Sequence, residues 1–96
     1  MKKELINRIV AFRNERGWKP DQTAEALAKS LSIKAAHLLE QYQWTNQEKN
    51  IDEVKDDFAD LLIYAVLFAE KYGFDIEKII EEQIAKNEEK FPLRKK

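Results

Sequence analysis

The stretch LLIYAVLFA, Leu61 to Ala69, leaves a chain like this few ways to fold. It is nine residues without a charge, set between DDFAD and EKYG, in a chain of 96 residues whose charged fraction is 36%. Spanning a bilayer takes about 20 apolar residues, so the run is a core element and no membrane partner is expected. Leu61, Leu62, Tyr64, Ala65, Leu67, Phe68 and Ala69 make a helix there apolar around much of its circumference. Such a helix is central to its fold or shared between subunits. Ninety-six residues make a single domain, 1–96, too small for two cores. A chain this short buries a modest fraction of its surface, so a helical version gains much from a partner subunit.

The other segments also read as helices. Gly and Pro occur twice each, which leaves few turns and argues for long helices. The first runs from about Lys3 to Arg16, with Leu5, Ile6, Ile9, Val10 and Phe12 mainly on one stripe and Gly17 as its stop. Trp18 to Asp21 is a connection, because Pro20 biases Lys19 away from helical angles. The second helix starts near Asp21 or Gln22, capped by Asp21 or Thr23, and its stripe from Ala24 to Tyr42 carries it to about Gln43. Asn46 or Asn50 caps the third, with Asp52, Glu53 and Asp56 near its positive end. That helix reaches about Tyr72 and Gly73 ends it. Asp75 caps the fourth, Ile76 to about Lys90, with Ile79, Ile80, Ile84 and Phe91 expected inward. The basic tail FPLRKK is expected to fray. Four helices with short links predict an all-α bundle.

Charge and cysteine content narrow the chemistry. With 17 basic and 18 acidic residues the formal net charge is −1, so no basic field attracts nucleic acid. The absence of cysteine excludes disulfides, thiolate metal sites and a Cys nucleophile, and fits a cytoplasmic protein. The start MKKELINRIV mixes charges into its apolar residues and does not read as a signal peptide.

Acids at helical spacing carry the functional expectation. Asp57 and Asp60, three apart, put two carboxylates on one helix face, an arrangement that can hold Mg²⁺. Asp56 lies about 100° round, and Glu40 is the remaining acid on the facing stripe of the second helix. The plainer reading is a set of solvated acids that stabilise the helix dipole. His37 is the chain's one histidine; it reads as a ligand or as a surface residue. Lys34, one turn before it, reads as a solvated lysine whose stem covers the apolar stripe. Trp18 and Trp44, at helix ends, are core plugs or stacking surfaces for a nucleobase, and Asn87 is a polar contact or plain surface.

Four stretches, FRNERGW (Phe12 to Trp18), SLSIKAAHLLEQYQW (Ser30 to Trp44), DDFADLLIYAVLFAEKYG (Asp56 to Gly73) and KNEEKFP (Lys86 to Pro92), together resemble the small MazG-type nucleoside triphosphate pyrophosphohydrolases of the all-α NTP pyrophosphatase superfamily. The landmarks span nearly the whole chain in order. The resemblance implies a four-helix bundle of the MazG-like type, with helices shared across a dimer interface, as a dimer or a dimer of dimers. It also implies hydrolysis of a nucleoside triphosphate to the monophosphate and pyrophosphate with Mg²⁺. On the family pattern an E-x-x-E pair on the second helix faces an E-x-x-D pair on the third. Asp57 and Asp60 match the latter, and Glu40 matches an acid often present one turn further along the second helix. Trp44 matches the family's base-stacking tryptophan, and Trp18 and Asn87 stand at its other nucleotide-side positions.

This chain departs from the pattern at the cage itself. Lys34 and His37 stand where the resemblance expects two carboxylates. Gln22 replaces a usual base-contacting His, and Gln83 replaces a lysine four before Asn87. An ammonium about 4 Å from a carboxylate attracts it by about 4 kcal/mol at an effective dielectric near 20, before desolvation. Lys34 is therefore expected to point at the aspartates and neutralise them as an internal counter-ion. Imidazole at position 37 suits Zn²⁺ or Mn²⁺ better than Mg²⁺. Three readings follow: an active pyrophosphohydrolase using Lys34, His37, Glu40, Asp57 and Asp60 with Mg²⁺; a nucleotide-binding relative with impaired catalysis; and a helical interaction module without ligand.

Overall fold

The computed structural model of the chain describes residues 1–93; Arg94, Lys95 and Lys96, the end of the basic tail, lie outside the described residues. The fold is four helices, α1 (Lys3–Glu15), α2 (Ala24–Glu40), α3 (Ile51–Tyr72) and α4 (Ile76–Lys90), with no strand among the described residues. No helix among them is long and apolar enough to cross a membrane.

Local chemistry sets the helix ends. Thr23 caps α2 by accepting the N–H of Ala26. Asn50 caps α3 by accepting the N–H groups of both Asp52 and Glu53, and Asp75 caps α4 by accepting that of Lys78. Each cap satisfies donors that the first helical turn leaves without partners. Gly17 and Gly73 take positive φ, 66° and 68°, and so close α1 and α3. Both ends of α2 differ from the expected ones: it starts at Ala24 rather than Asp21 or Gln22, and stops at Glu40 rather than Gln43. Its last turn tightens, with Tyr42 N–H bonding Leu39 C=O and Gln43 N–H bonding Glu40 C=O. Gln41 there turns inward and serves the next helix.

α3 is the axis of the fold. α2 packs along its length and α1 over a shorter stretch. The buried apolar residues are Leu27 of α2 and Val66, Leu67 and Ala69 of α3, so the apolar run supplies most of the core. α1 is fastened by charge as well as by its stripe. The guanidinium of Arg13, 1% exposed, donates to Glu70 Oε2 at 3.0 Å and to Asn14 Oδ1 at 3.1 Å. Near the C-terminal end of α3 a groove of about 530 Å³ opens between the start of α1 and the α3–α4 corner.

The fourth helix corrects an expectation. Ile79, Ile80, Ile84 and Phe91 are not inward: all are exposed, and α4 buries no residue. α4 lies along none of the other helices. The radius of gyration is accordingly 16.4 Å, against roughly 12.5 Å for a compact chain of this length. Periodicity shows that α4 has an apolar face; it does not show which molecule covers it.

Candidate functional site

The site is built where the second half of α2 faces the first half of α3. Lys34 and Asp60 meet across this seam, Nζ to Oδ2 at 3.2 Å. The lysine side chain is 25% exposed and that of the aspartate 48%, so the pair sits at the rim of the helix contact and is partly screened by water. The ammonium thus points toward Asp60, one of the two aspartates expected, and not out to bulk water.

One turn further along α2 lies a cavity of about 250 Å³, lined by His37, Glu40 and Gln41 from α2 and Glu53, Asp56 and Asp57 from α3. The lining positions fall at i, i+3 and i+4 on each helix, which is why each set shares a face. Four carboxylates and one imidazole around so small a space make it a focus of negative potential. Gln41, buried, holds the floor: its Nε2 donates to Glu53 Oε2 at 2.8 Å and its Oε1 accepts the Asn50 N–H at 2.8 Å. One amide therefore ties the end of α2 to the cap of α3.

Lys34 and Asp60 come together as a pair, and His37, Glu40 and Asp57 come together around the cavity. Trp18, Trp44 and Asn87 do not reach its wall. Trp44 is 86% exposed, so it is no core plug. Trp18 stacks edge-on against Phe12 with ring centroids 5.7 Å apart. The side chain of Asn87 accepts a hydrogen bond from Gln83 at 3.2 Å on the exposed α4. Glu53 and Gln41 belong to the site without having been singled out; the i+4 spacing from Glu53 to Asp57 is the signal that marks the former. Gln22, at the family's histidine position, keeps a buried side-chain oxygen with no hydrogen-bond partner.

The donor set bears on Mg²⁺. Glu40, Asp57 and Asp60 do not converge as three ligands: Asp60 is engaged by Lys34, and among the described residues no three acidic or histidine side chains stand close enough to hold one metal ion. These carboxylates are thus not preassembled as a cage for a hard cation.

Comparison with known proteins agrees with the fold and the residue pattern. The model of the MazG-like family matches residues 29–96. The crystal structure of a pyrophosphatase from Archaeoglobus fulgidus superposes with a TM-score of 0.88 and 32% sequence identity, covering 95% of this chain and 92% of that one. Among curated proteins none matches the chain significantly. The four-helix order, the near-complete superposition and the family match over well more than half of the residues have one meaning: the chain belongs to the MazG-like family.

Proposed function

We propose that the chain binds a nucleoside triphosphate at the α2–α3 seam and is a nucleotide pyrophosphohydrolase, NTP or dNTP to NMP plus pyrophosphate, whose turnover Lys34 holds down. Membership of the MazG-like family and the fold shared with a pyrophosphatase support the reaction class. One observation carries the impairment: the Lys34 ammonium lies 3.2 Å from Asp60, so a carboxylate that a divalent cation would use is already neutralised. The same ammonium is a donor for phosphate oxygens, as a point charge. The exposed indole of Trp44 offers a stacking face for a base. His37, Glu40 and Asp57, grouped around the cavity, are the groups that can orient or deprotonate a water there. A cytoplasmic setting fits a chain without cysteine acting on nucleotides.

A second reading, full Mg²⁺-dependent turnover, is favoured by the four carboxylates that remain around the cavity. Pyrophosphate release from the common NTPs and dNTPs with Mg²⁺ separates the two, comparing the native chain with Lys34→Glu/His37→Glu. Release by the double variant alone supports the impaired reading. Equal rates overturn it in favour of the second. Tryptophan fluorescence that stays flat through titration with every common nucleotide would remove both readings and leave an interaction module.

A further inference from the structure

Among the described residues Lys34 is the one lysine whose ion pair joins two helices; Lys29, by contrast, pairs with Glu25 along its own helix and is mostly exposed. A quarter of the Lys34 side chain meets solvent, so water and dissolved gases reach its amine. Asp56 and Asp57, four and three residues before Asp60, share its side of α3 and line the adjoining cavity with Glu40 and His37. The seam therefore holds one group of the wrong sign for a divalent cation, and that group is a primary amine. Primary amines have a reversible route to an oxygen-donor anion: the free amine adds CO₂ and becomes a carbamate.

We propose that Lys34 is a carbamylation site, and that CO₂ together with a divalent cation converts the seam from an ion pair into a site lined by oxygen anions. The ammonium first gives one proton to water. The Nζ lone pair then forms the N–C bond while a C=O π pair of CO₂ moves onto oxygen, and the nitrogen sheds a second proton. The sum is R–NH₃⁺ + CO₂ → R–NH–COO⁻ + 2 H⁺, with nothing oxidised or reduced. Residue 34 passes from +1 to −1. Beside Asp60 a carbamate alone is repelled, and a cation alone meets the ammonium, so each is disfavoured without the other. Together they remove both conflicts, and each raises the affinity of the other by the same factor. Hard oxygen donors of this kind suit Mg²⁺. Two units of charge roughly 5 Å from a divalent ion, in a water-like dielectric and physiological salt, correspond to about 15-fold in affinity. The carbamate is argued from the seam alone; its use as a gate on turnover rests on the function proposed above.

Three measurements at fixed pH and ionic strength, all without nucleotide, test this. Carbon-13 NMR of the native chain with labelled bicarbonate and Mg²⁺ is expected to show a carbamate resonance that Lys34→Arg lacks, because a guanidinium keeps the charge and takes up no CO₂. Trapping with a trialkyloxonium salt, followed by peptide mass analysis of the native chain, is expected to place the carboxyl ester on Lys34 and not on Lys29, and only when Mg²⁺ is present. Calorimetric titration of Mg²⁺ is expected to show affinity rising about 15-fold from CO₂-free to CO₂-saturated buffer in the native chain, with no change in Lys34→Arg or Lys34→Glu. No label at Lys34 with CO₂ and Mg²⁺ both present overturns the proposal, as does label spread evenly over the exposed lysines. Label that forms equally well without Mg²⁺ overturns the coupling. An equal rise in Lys34→Arg overturns it too, since bicarbonate itself would then be the ligand. Label at Lys34 in a chain that releases no pyrophosphate from any common NTP, even as Lys34→Glu/His37→Glu, sinks the proposed function and leaves the carbamate standing.

Discussion

Changing the charge at position 34 should tune divalent-cation affinity in even steps. Lys34→Met removes one positive charge beside Asp60, and Lys34→Glu reverses it. The pair is a quarter and a half exposed, so a dielectric near that of water is the conservative choice. For a divalent ion roughly 5 Å away, each unit of charge is then worth about 1.7 kcal/mol, or about 15-fold in affinity. Lys34→Glu doubles this to about 3.3 kcal/mol, or about 250-fold. Physiological salt, with a Debye length of about 8 Å, roughly halves both energies and leaves about 4-fold and about 15-fold. The assay is calorimetric titration of Mn²⁺ and Mg²⁺ into native, Lys34→Met and Lys34→Glu chains at low and physiological ionic strength. Lys29→Met is the control: it makes the same net-charge change as Lys34→Met, at a lysine paired with exposed Glu25 one turn away along its own helix. The reasoning is refuted if Lys34→Glu binds no tighter than the native chain. It is refuted equally if Lys29→Met gains as much as Lys34→Met, because the effect would then be bulk charge and not the seam.

Two further outcomes follow from the packing. Arg13→Met should lower stability by about 2 kcal/mol in urea at fixed protein concentration: it removes charged hydrogen bonds to Glu70 and Asn14, while the partly exposed Glu70 regains water. No change in the denaturation midpoint would mean that α1 is held by its apolar stripe alone. Trp44→Ala should leave stability within about 0.5 kcal/mol, because the indole is exposed, yet weaken nucleotide binding by about 1–3 kcal/mol if a base stacks there. Undiminished nucleotide affinity would remove Trp44 from the site.

The parts of the fold legible in the sequence are those set by local chemistry. Thr23, Asn50 and Asp75 cap helices, and Gly17 and Gly73 close them, because the needed groups lie within a few residues of one another. Burial was less legible where polar residues go inside. Arg13 and Gln41 read as surface by residue type, yet each is buried because its partner comes from α3 or its cap: Glu70 for the arginine, and Glu53 with the Asn50 N–H for the glutamine. Hydrophobic periodicity has no way to mark such pairs. The isoleucine stripe of α4 is the reverse case, since the pattern was plain and its covering was not. At the site, helical spacing alone groups Asp57 with Asp60 and Lys34 with His37; that the two sets face each other was legible only through the resemblance, which puts all four at one cage. The structure pairs Lys34 with Asp60 and sends His37 and Asp57 to the neighbouring cavity, a division that spacing could not express.

Leu27, Lys34 and Gln41 stand seven residues apart and so project from nearly the same side of α2. Leu27 is sealed in the core, and Gln41 is bolted to the head of α3, each roughly 10 Å along the axis from the lysine. The backbone of residue 34 is thereby pinned on both flanks and cannot retreat to make room. Any exchange of the ammonium for another cation must happen by swinging one flexible side chain, a motion of picoseconds to nanoseconds where water has access, with no sliding of helices. Residue 34 behaves as a plug in a rigid socket, so a single codon change can swap what the socket receives while the wall around it stays put.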